Sequence, residues 1–236
     1  MRKATRKAWR VSTHGNINRT LDVTPIGLHE QDFEGLSAEE ASARRTAFLS
    51  AGSRFERGEL VSIDEIGGSV WAWRRMNAKG DKAPNFMELG FVPAVNAACK
   101  AILEEADLGA INFHPIRILN AGRKSEPWPE EIYVVNVGNA KHSLAIEDGL
   151  RIGNLRKVGV PGFEPPPEKL QYRLAGKRIA SLTTDALDGP DIWMEPKLSR
   201  GNLFISDRLA KLLKAAKMTG GWGLKECPIV GIHQVE

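Results

Sequence analysis

The residue types that most often carry chemistry are scattered along this 236-residue chain. None of its five histidines stands three or four residues from another histidine or a cysteine, the spacing that a helical zinc site needs. They are His14, His29, His114, His142 and His233. The sequence also lacks a phosphate-binding loop, a dinucleotide-binding glycine motif, a nucleophile elbow and the paired histidines of metalloproteases. We therefore expect no metal, no cofactor and no catalytic residues, and we predict that the chain is not an enzyme.

Three pairs of adjacent glutamates are the closest approach to acid–base chemistry, since two carboxylates can serve as general acid and general base. They are Glu39-Glu40, Glu104-Glu105 and Glu130-Glu131. On predicted helices such pairs stand beside apolar stripes, where acidic residues usually form the solvated face. We therefore expect solvated glutamates. His114 follows Phe113 at the end of a predicted strand, and we expect it to be packed or hydrogen-bonded rather than a general base.

Tryptophan occurs twice near basic residues, a combination enriched at binding hot spots. In a predicted strand at residues 69–75, alternation places Trp71 and Trp73 on one face, and two arginines follow. These tryptophans either pack under the first helix or contact a partner, including stacked nucleobases. In a polar loop, Trp128 stands between two prolines and is either tucked against the body or a contact residue. Our candidate partner-binding residues are Trp128, Arg123, Lys124, Trp73, Arg74 and Arg75.

The formal charge of +4 is concentrated at the N-terminus. The first ten residues hold five basic side chains and no acid, so the other 28 basic and 29 acidic side chains sum to −1. Such a tail suits nucleic acid or an anionic membrane, but a solvated terminus is the favoured interpretation. No signal-peptide core follows the tail, and no apolar run is long enough to span a bilayer. We therefore expect a cytosolic protein with no membrane partner. Cys99 and Cys227 are expected to be buried free thiols.

One pattern of residues occurs twice along the chain, and each copy has strand, helix and strand character. The first copy reads Pro84-Asn85-Phe86-Met87, Phe91-Val92-Pro93, an apolar helical stretch, then Phe113-His114-Pro115-Ile116. The second reads Pro190-Asp191-Ile192-Trp193, Phe204-Ile205-Ser206, a helical stretch, then Glu226-Cys227-Pro228-Ile229. The pattern predicts a mixed α+β fold in which two pseudo-repeated strand-helix-strand units pack with a central mixed or antiparallel sheet.

Periodicity and turn residues locate the elements of the two copies. The helices are predicted at residues 94–106 and 207–217, the second ending at Gly220-Gly221. A strand is predicted at residues 111–119, and the β-branched run at residues 132–137 predicts a strand central in a sheet, because both of its faces are apolar. We expect five residues to be buried, because each lies on the apolar stripe of a repeat helix or in the strand that leads into it. They are Phe91, Leu103, Phe204, Leu209 and Leu213.

Caps and turns predict the elements outside the repeat. A capping box at Ser37 and Glu40 begins a helix that is predicted to run to about residue 49 and to stop at Gly52. Strands predicted at residues 60–63 and 69–75, joined by two glycines, form a hairpin. A strand at residues 179–182 resembles the first of them.

The chain is long enough to bury a large core without disulfides or metal. Residues 159–168 are rich in proline and glycine and cannot form a helix or an interior strand, so residues 159–176 are interpreted as a connection. It joins residues 56–158, which hold the first copy, to residues 177–236, which hold the second and pack with the first as one globular unit. Residues 1–55 form an N-terminal tail and helix of unassigned role.

The second copy resembles the C-terminal signature of a bacterial family, immunity-protein family eleven of polymorphic toxin systems, formerly a family of unknown function. The resemblance rests on Pro190-Asp191-Ile192-Trp193, Leu203-Phe204-Ile205-Ser206-Asp207-Arg208-Leu209, Leu212, Leu213, Gly220-Gly221 and Pro228-Ile229. The first copy and the strand at residues 132–137 resemble that family's central segment, so the resemblance covers roughly residues 60 to 230. It is a pattern of apolar positions and turn residues and brings no catalytic residues.

The resemblance implies an immunity protein that binds and neutralises a cognate antibacterial toxin, through a stoichiometric protein–protein complex in the cytosol. Family members are associated with varied toxins, so the resemblance names no particular one. The complex would occlude the toxin's active site or substrate groove, with affinity concentrated in a few aromatic and arginine anchors. Two alternatives stay open. A nucleic-acid-binding regulator would use the basic N-terminal tail, although the near-neutral body argues against it, and an unrecognised enzyme would need a cleft with convergent acids.

Overall fold

The structure is a computed structural model, which describes residues 7–11, 21–23, 33–66, 69–74, 83–89, 92–120, 130–145, 150–152, 172–174, 179–198 and 202–230. The helices in these residues are Ala38–Glu56 (α1), Ile63–Ile66 (α2), Ala97–Leu103 (α3) and Asp207–Ala215 (α4). The strands are Lys7–Arg10 (β1), Leu21–Val23 (β2), Ser69–Arg74 (β3), Phe86–Leu89 (β4), Val92–Asn96 (β5), Ile111–Asn120 (β6), Ile132–Val137 (β7), Leu150–Ile152 (β8), Tyr172–Leu174 (β9), Ile192–Met194 (β10), Leu203–Ser206 (β11) and Lys225–Pro228 (β12). The predicted mixed α+β class is confirmed.

The strands form two principal sheets. The larger has the order β2-β3-β6-β7-β5-β4, and the smaller has the order β10-β11-β1-β12. Their neighbouring strands are antiparallel, except that β3 and β6 are parallel. Strands β8 and β9 pair as a separate ribbon. As predicted, β7 lies inside a sheet, between β5 and β6. Each repeated unit has a sheet of its own.

The two copies of the pattern share one local topology. In each, an antiparallel hairpin leads directly into a helix, and a later strand joins the same sheet beyond one intervening strand. The order β4-β5-β7-β6 thus matches β10-β11-β1-β12. The intervening strands differ in origin, because β7 follows β6 along the chain whereas β1 comes from near the N-terminus. The second unit is therefore completed by a strand from the other end of the sequence.

The last residue of the preceding strand is the N-cap of each repeat helix. The side chain of Asn96 accepts a hydrogen bond from the Cys99 N–H at 2.9 Å, and Ser206 Oγ accepts one from the Leu209 N–H at 3.1 Å. Each cap also donates a hydrogen bond to the polar residue that precedes its own hairpin. Asn96 donates to Asn85, and Ser206 donates to Asp191. Asn and Ser are favoured N-caps, so one device starts both helices.

The core lies between the sheets and the two repeat helices, which pack against each other. Four of the residues predicted to be core, namely Leu103, Phe204, Leu209 and Leu213, are fully buried. The fifth, Phe91, lies outside the described residues. Both cysteines are buried and free, as predicted. Burial raises the pKa of Cys99 to about 12 and that of Cys227 to about 11, so both thiols stay protonated and unreactive near neutrality.

Helix α1 starts as predicted and ends later. The capping box of Ser37 and Glu40 is present, but the helix continues through the buried Gly52 to Glu56. Its stop is Gly58, which has a φ of +75° and faces a carbonyl: a Cβ there would lie 2.6 Å from the Asn139 oxygen. Glycine accepts both conditions because it has no side chain.

The predicted strand at residues 60–63 is wrong, because Val61 pairs with a side chain instead of another strand. Asn136 donates from Nδ2 to the Val61 carbonyl at 2.7 Å, and its Oδ1 accepts from the Val61 N–H at 3.3 Å. The chain then enters α2. The predicted hairpin is also wrong, since β3 pairs with β2 and β6. Gly67 and Gly68, its predicted turn, lie outside the described residues.

Residues 179–182 form no strand: only Leu182 makes bridges, to Leu144 and Ile229. The predicted helix at residues 94–106 is shorter, because β5 extends to Asn96 and α3 occupies Ala97–Leu103. Strand β6 confirms the prediction at residues 111–119.

The end of α4 is set by Lys217 and not by Gly220-Gly221. Lys217 has a φ of 57°, in the left-handed region. The Met218 N–H bonds to the Leu213 carbonyl at 2.8 Å, and the Lys217 N–H bonds to the Lys214 carbonyl at 3.1 Å. These two bonds form a Schellman motif, in which glycine usually holds the left-handed position.

The Pro- and Gly-rich residues 159–168 lie outside the described residues. The ribbon of β8 and β9 flanks them in sequence, and β9 falls inside the predicted connection at residues 159–176. Among the described residues, no helix is both long enough and apolar enough to cross a membrane.

Replacing Leu213 tests the repeat core. Leu213→Ala should lower the free energy of unfolding by about 2 to 5 kcal/mol, because it leaves a cavity under α4. Leu49→Ala is the matched control, since Leu49 is 62% exposed, and it should cost less than about 0.5 kcal/mol. Urea unfolding measures both. Equal effects of the two variants would show that α4 does not cover the core.

Replacing Lys217 tests the helix end. Lys217→Gly should raise the free energy of unfolding by about 0.5 to 1 kcal/mol, because relief of the left-handed conformation outweighs the greater entropy of the unfolded glycine. Lys211→Gly, inside α4, should lower it by about 1 kcal/mol. Thermal unfolding of both variants checks the opposite signs, and a destabilising Lys217→Gly would refute the Schellman assignment.

Candidate functional site

The structure describes only part of the partner-binding set that the sequence predicts. Trp73 and Arg74 lie in β3, where their backbones pair with Asp22 and Leu21 of β2. Their side chains lie outside the described residues, and so do Arg75, Arg123, Lys124 and Trp128 entirely. The binding role of all six stays a prediction.

The paired glutamates lie on separate elements, where they make local contacts. Glu40 belongs to the capping box of α1. Glu104 bonds to Lys100 at 2.6 Å, Glu130 accepts from the Ala83 N–H at 3.0 Å, and Glu131 accepts from the Tyr133 hydroxyl. The half-buried His114 lies 3.5 Å from the Asn136 amide nitrogen. Within the described part of the chain, no group of three or more His, Cys, Asp and Glu side chains could hold a metal ion.

One charged cluster lies where the two units meet. The carboxylate of Asp191, whose side chain is 6% exposed, accepts hydrogen bonds from the Ser206 hydroxyl, the Arg208 guanidinium and the Asp107 N–H. The Asp191 N–H donates in turn to the Asp107 carbonyl at 2.7 Å. The segment after α3 is thereby joined to the start of β10.

Asn139, in the segment that follows β7, makes further hydrogen bonds at the same junction. Its Nδ2 donates to the Leu108 carbonyl at 2.6 Å and to the Ile192 carbonyl at 3.0 Å. Its Oδ1 accepts from the Ala110 N–H at 2.8 Å. One amide side chain thus bridges the first unit to β10, which gives Asn139 a structural role.

Lys141 lies beside this junction and has a perturbed acidity. Its ammonium donates to the Pro190 carbonyl at 2.8 Å and lies 4.0 Å from the centre of the Trp193 ring. Burial lowers the pKa of Lys141 to about 8, although Asp191, Asp188 and Asp107 favour the charged form. A perturbed lysine is one mark of a functional site. Here the bond to Pro190 and the ring contact explain its position structurally.

Glu195 is a second buried carboxylate. It accepts hydrogen bonds from the backbone N–H groups of Ser143, Leu144 and Lys197, at 2.6, 2.8 and 3.2 Å. Burial raises the pKa of Glu195, while these hydrogen bonds oppose the rise by favouring the ionised form. The carboxylate fixes residues 143–144 against the end of β10, so it too is structural.

The outer surface of α4 is of a different kind, because basic side chains cover it. Arg208, Lys211, Lys214 and Lys217 are all exposed. Trp9 of β1 lies at its edge, with Lys214 Nζ 3.4 Å and Lys7 Nζ 5.2 Å from the ring centre. The basic face is defined as Lys7, Trp9, Arg208, Lys211, Lys214 and Lys217.

Helix α3 provides an internal comparison for this face. Counted from the caps Asn96 and Ser206, Cys99 and Leu209 are both buried, and so are Leu103 and Leu213, whereas the buried Ala210 corresponds to the half-buried Lys100. The outer positions differ in charge: Arg208, Lys211, Lys214 and Lys217 correspond to Ala98, Ala101, Glu104 and Asp107. Both helices occupy the same place in the same topology. The fold therefore does not require Lys211, Lys214 and Lys217 to be basic, whereas Arg208 also bonds to the buried Asp191.

Some cations of the basic face already have acidic neighbours. Lys7 pairs with Glu226 at 2.9 Å, Lys211 pairs with Asp207 at 2.7 Å, and Arg208 bonds to Asp191. Exposed ion pairs are worth less than about 1 kcal/mol each. A partner can therefore exchange the exposed pairs for its own contacts at little cost.

Sequence reasoning missed this face. The signal was present as basic residues at every third position from 208 to 217. It was hidden because the charge of residues 11–236 sums to nearly zero, which conceals a local excess of basic residues. The contribution of Lys7 and Trp9 depends on the pairing of β1 with β11 and β12, which joins residues from opposite ends of the chain.

Comparison with known proteins finds no matching family model and no significantly similar curated protein. The resemblance to the immunity-protein family therefore rests on the residue pattern quoted above.

The acidity of Lys141 predicts a pH dependence of stability. Its pKa is about 8 in the fold against 10.5 for an ordinary lysine, so the unfolded chain binds more protons between these values. The contribution of Lys141 to the free energy of unfolding should therefore rise as the pH is raised from 8 to 10.5. Unfolding curves of the wild type, Lys141→Met and Lys141→Arg measure it. Both variants should lack the rise, and curves parallel to the wild type would contradict the lowered pKa.

Proposed function

We propose that this chain is an immunity protein, which binds a cognate antibacterial toxin and neutralises it by forming a stoichiometric protein–protein complex in the cytosol. Two observations support the proposal. One is the resemblance of the second copy to the immunity-protein signature. The other, which carries the structural case, is the basic face on α4 and its absence from the equivalent face of α3.

The internal comparison separates residues that the fold needs from residues that it does not. Buried positions and caps recur in both units because each must build the same hairpin and helix. The outer charges change from four basic residues to two small and two acidic ones. Clustered, exposed charge that the scaffold does not need is typical of a surface that meets a partner.

The residues that carry the family resemblance hold structural positions. Asp191 and Ser206 form the junction and the cap, while Phe204, Leu209 and Leu213 are buried. Arg208 is the one residue that belongs to both the signature and the basic face, and Lys211, Lys214 and Lys217 lie outside the signature. A family signature of this type specifies a scaffold and leaves most of the outer surface free to differ. That division suits proteins that share a fold and neutralise different toxins.

Neutralisation by occlusion needs a larger contact than one helix. Stable interfaces bury roughly 1,200 to 2,000 Å² in total, whereas the nine residues of α4 span only about 13 Å. The basic face would be one part of the interface, supplying electrostatic attraction and orientation. The protein surface next to the basic face would exclude water around the charged contacts.

A nucleic-acid-binding regulator is the second candidate, because a basic face with an aromatic residue also fits a phosphate backbone. The two candidates predict different partners. Binding to nucleic acid would weaken steeply with salt and would need no second protein.

Co-expression tests the proposal. The protein should protect bacteria from the toxin encoded directly beside it only when its amount matches or exceeds that of the toxin, because each copy is consumed by one complex. A catalytically inactive toxin should co-purify with it at a fixed ratio. Protection by amounts far below equivalence would contradict stoichiometric binding and indicate an enzyme that destroys the toxin or its product.

A further inference from the structure

The basic face also specifies the chemistry of what it binds. We propose that it docks on a carboxylate-rich protein surface of the partner and not on nucleic acid. This inference rests on the proposed function and specifies the chemistry of the toxin surface that the protein contacts.

The first step concerns the aromatic residue. Proteins that bind single-stranded nucleic acid stack bases on an open aromatic face. Trp9 offers no such face, because it is half-buried against the core and Lys214 Nζ lies 3.4 Å above its ring. Its indole N–H is also engaged, donating to Asp207 at 3.0 Å. Trp9 therefore positions a lysine and does not receive a base.

The second step concerns the start of α4. The N-terminus of a helix is a common phosphate site, since its free N–H groups and dipole attract anions. Here the Ser206 side chain caps the Leu209 N–H. Two carboxylates, Asp191 and Asp207, stand at the same end. Their negative charge repels a phosphate there and confines the attraction to the cations farther along the helix.

The third step concerns the acids among the cations. Asp207 pairs with Lys211, and Glu226 pairs with Lys7, so the surface alternates in sign while keeping a basic excess. A phosphate backbone is uniformly negative, so these acidic side chains repel it. A protein surface can present carboxylates to the lysines and hydrogen-bond donors to the acids. Alternating charge is therefore better matched by a folded partner.

The contact with Trp9 restrains one lysine of the face, Lys214. A lysine held over an aromatic ring loses less side-chain freedom on binding than a free one. Successive basic positions on α4 are three residues apart, a rise of about 4.5 Å. Because each step of three residues also turns about 60° around the helix axis, the face fits two or three carboxylates arranged obliquely across the helix.

A pair of double variants with the same change in net charge tests this inference. Lys211→Ala with Lys214→Ala removes two positive charges from the basic face. Ala98→Glu with Ala101→Glu, at exposed positions of α3, adds two negative charges away from it. Affinity for the inactive toxin encoded beside the chain is measured by calorimetry at about 50 and about 300 mM salt, where screening differs strongly. Thermal unfolding confirms that both variants are folded.

The basic-face variant should bind at least roughly tenfold more weakly at low salt and should show a smaller salt dependence, because rim charges act through long-range attraction. The α3 variant should stay within about twofold of the wild type. If both variants bind like the wild type, the docking inference fails and the proposed function stands. If the wild type does not bind the toxin, both fail.

A duplex DNA of about 20 base pairs and a single strand of the same length are the second probe. The inference expects the wild type and the basic-face variant to bind each of them equally weakly. Tight binding that the Lys211→Ala and Lys214→Ala changes abolish would overturn the inference in favour of nucleic acid.

Discussion

The arrangement of the two units depends on the buried carboxylate of Asp191. A buried charge is costly unless its lone pairs are satisfied, and Asp191 is satisfied jointly by the cap of α4, by Arg208 and by the chain leaving α3. The reverse contact is steric: a Cβ on Gly221, which follows α4, would lie 2.1 Å from the Phe86 carbonyl of β4. The C-terminal end of each repeat helix thus contacts the hairpin of the other unit.

Local signals in the sequence were enough for the elements that depend on neighbours along the chain. The Ser37 cap, the buried positions of α4 and the central strand β7 all follow from capping, periodicity and β-branched composition. The duplication was also visible, although it misaligned the last strands. The ladders place Pro115 opposite Tyr133 and Pro228 opposite Lys7, whereas Tyr133 and Trp9 are the equivalent positions.

The misses share a tertiary cause. Residues 60–63 have strand composition, but a side chain from β7 satisfies Val61. Gly52 looks like a helix stop, but packing against the core keeps it helical, and Lys217 adopts a conformation that glycine usually holds. Lys7 and Trp9 join the basic face only through the pairing of β1 with two distant strands, so no window of sequence contained all six of its residues.

The origin of β1 also orders events during synthesis. Residues 7–10 are synthesised long before both of their partners, β11 and β12. The first unit draws its four strands from one continuous stretch of the chain, residues 86–137. It can assemble on a nascent chain, since domains fold as soon as their parts are available. The second unit cannot complete its sheet until β12 has been synthesised. A chain interrupted before residue 225 can therefore fold its first unit but lacks the strand that completes the sheet of the second.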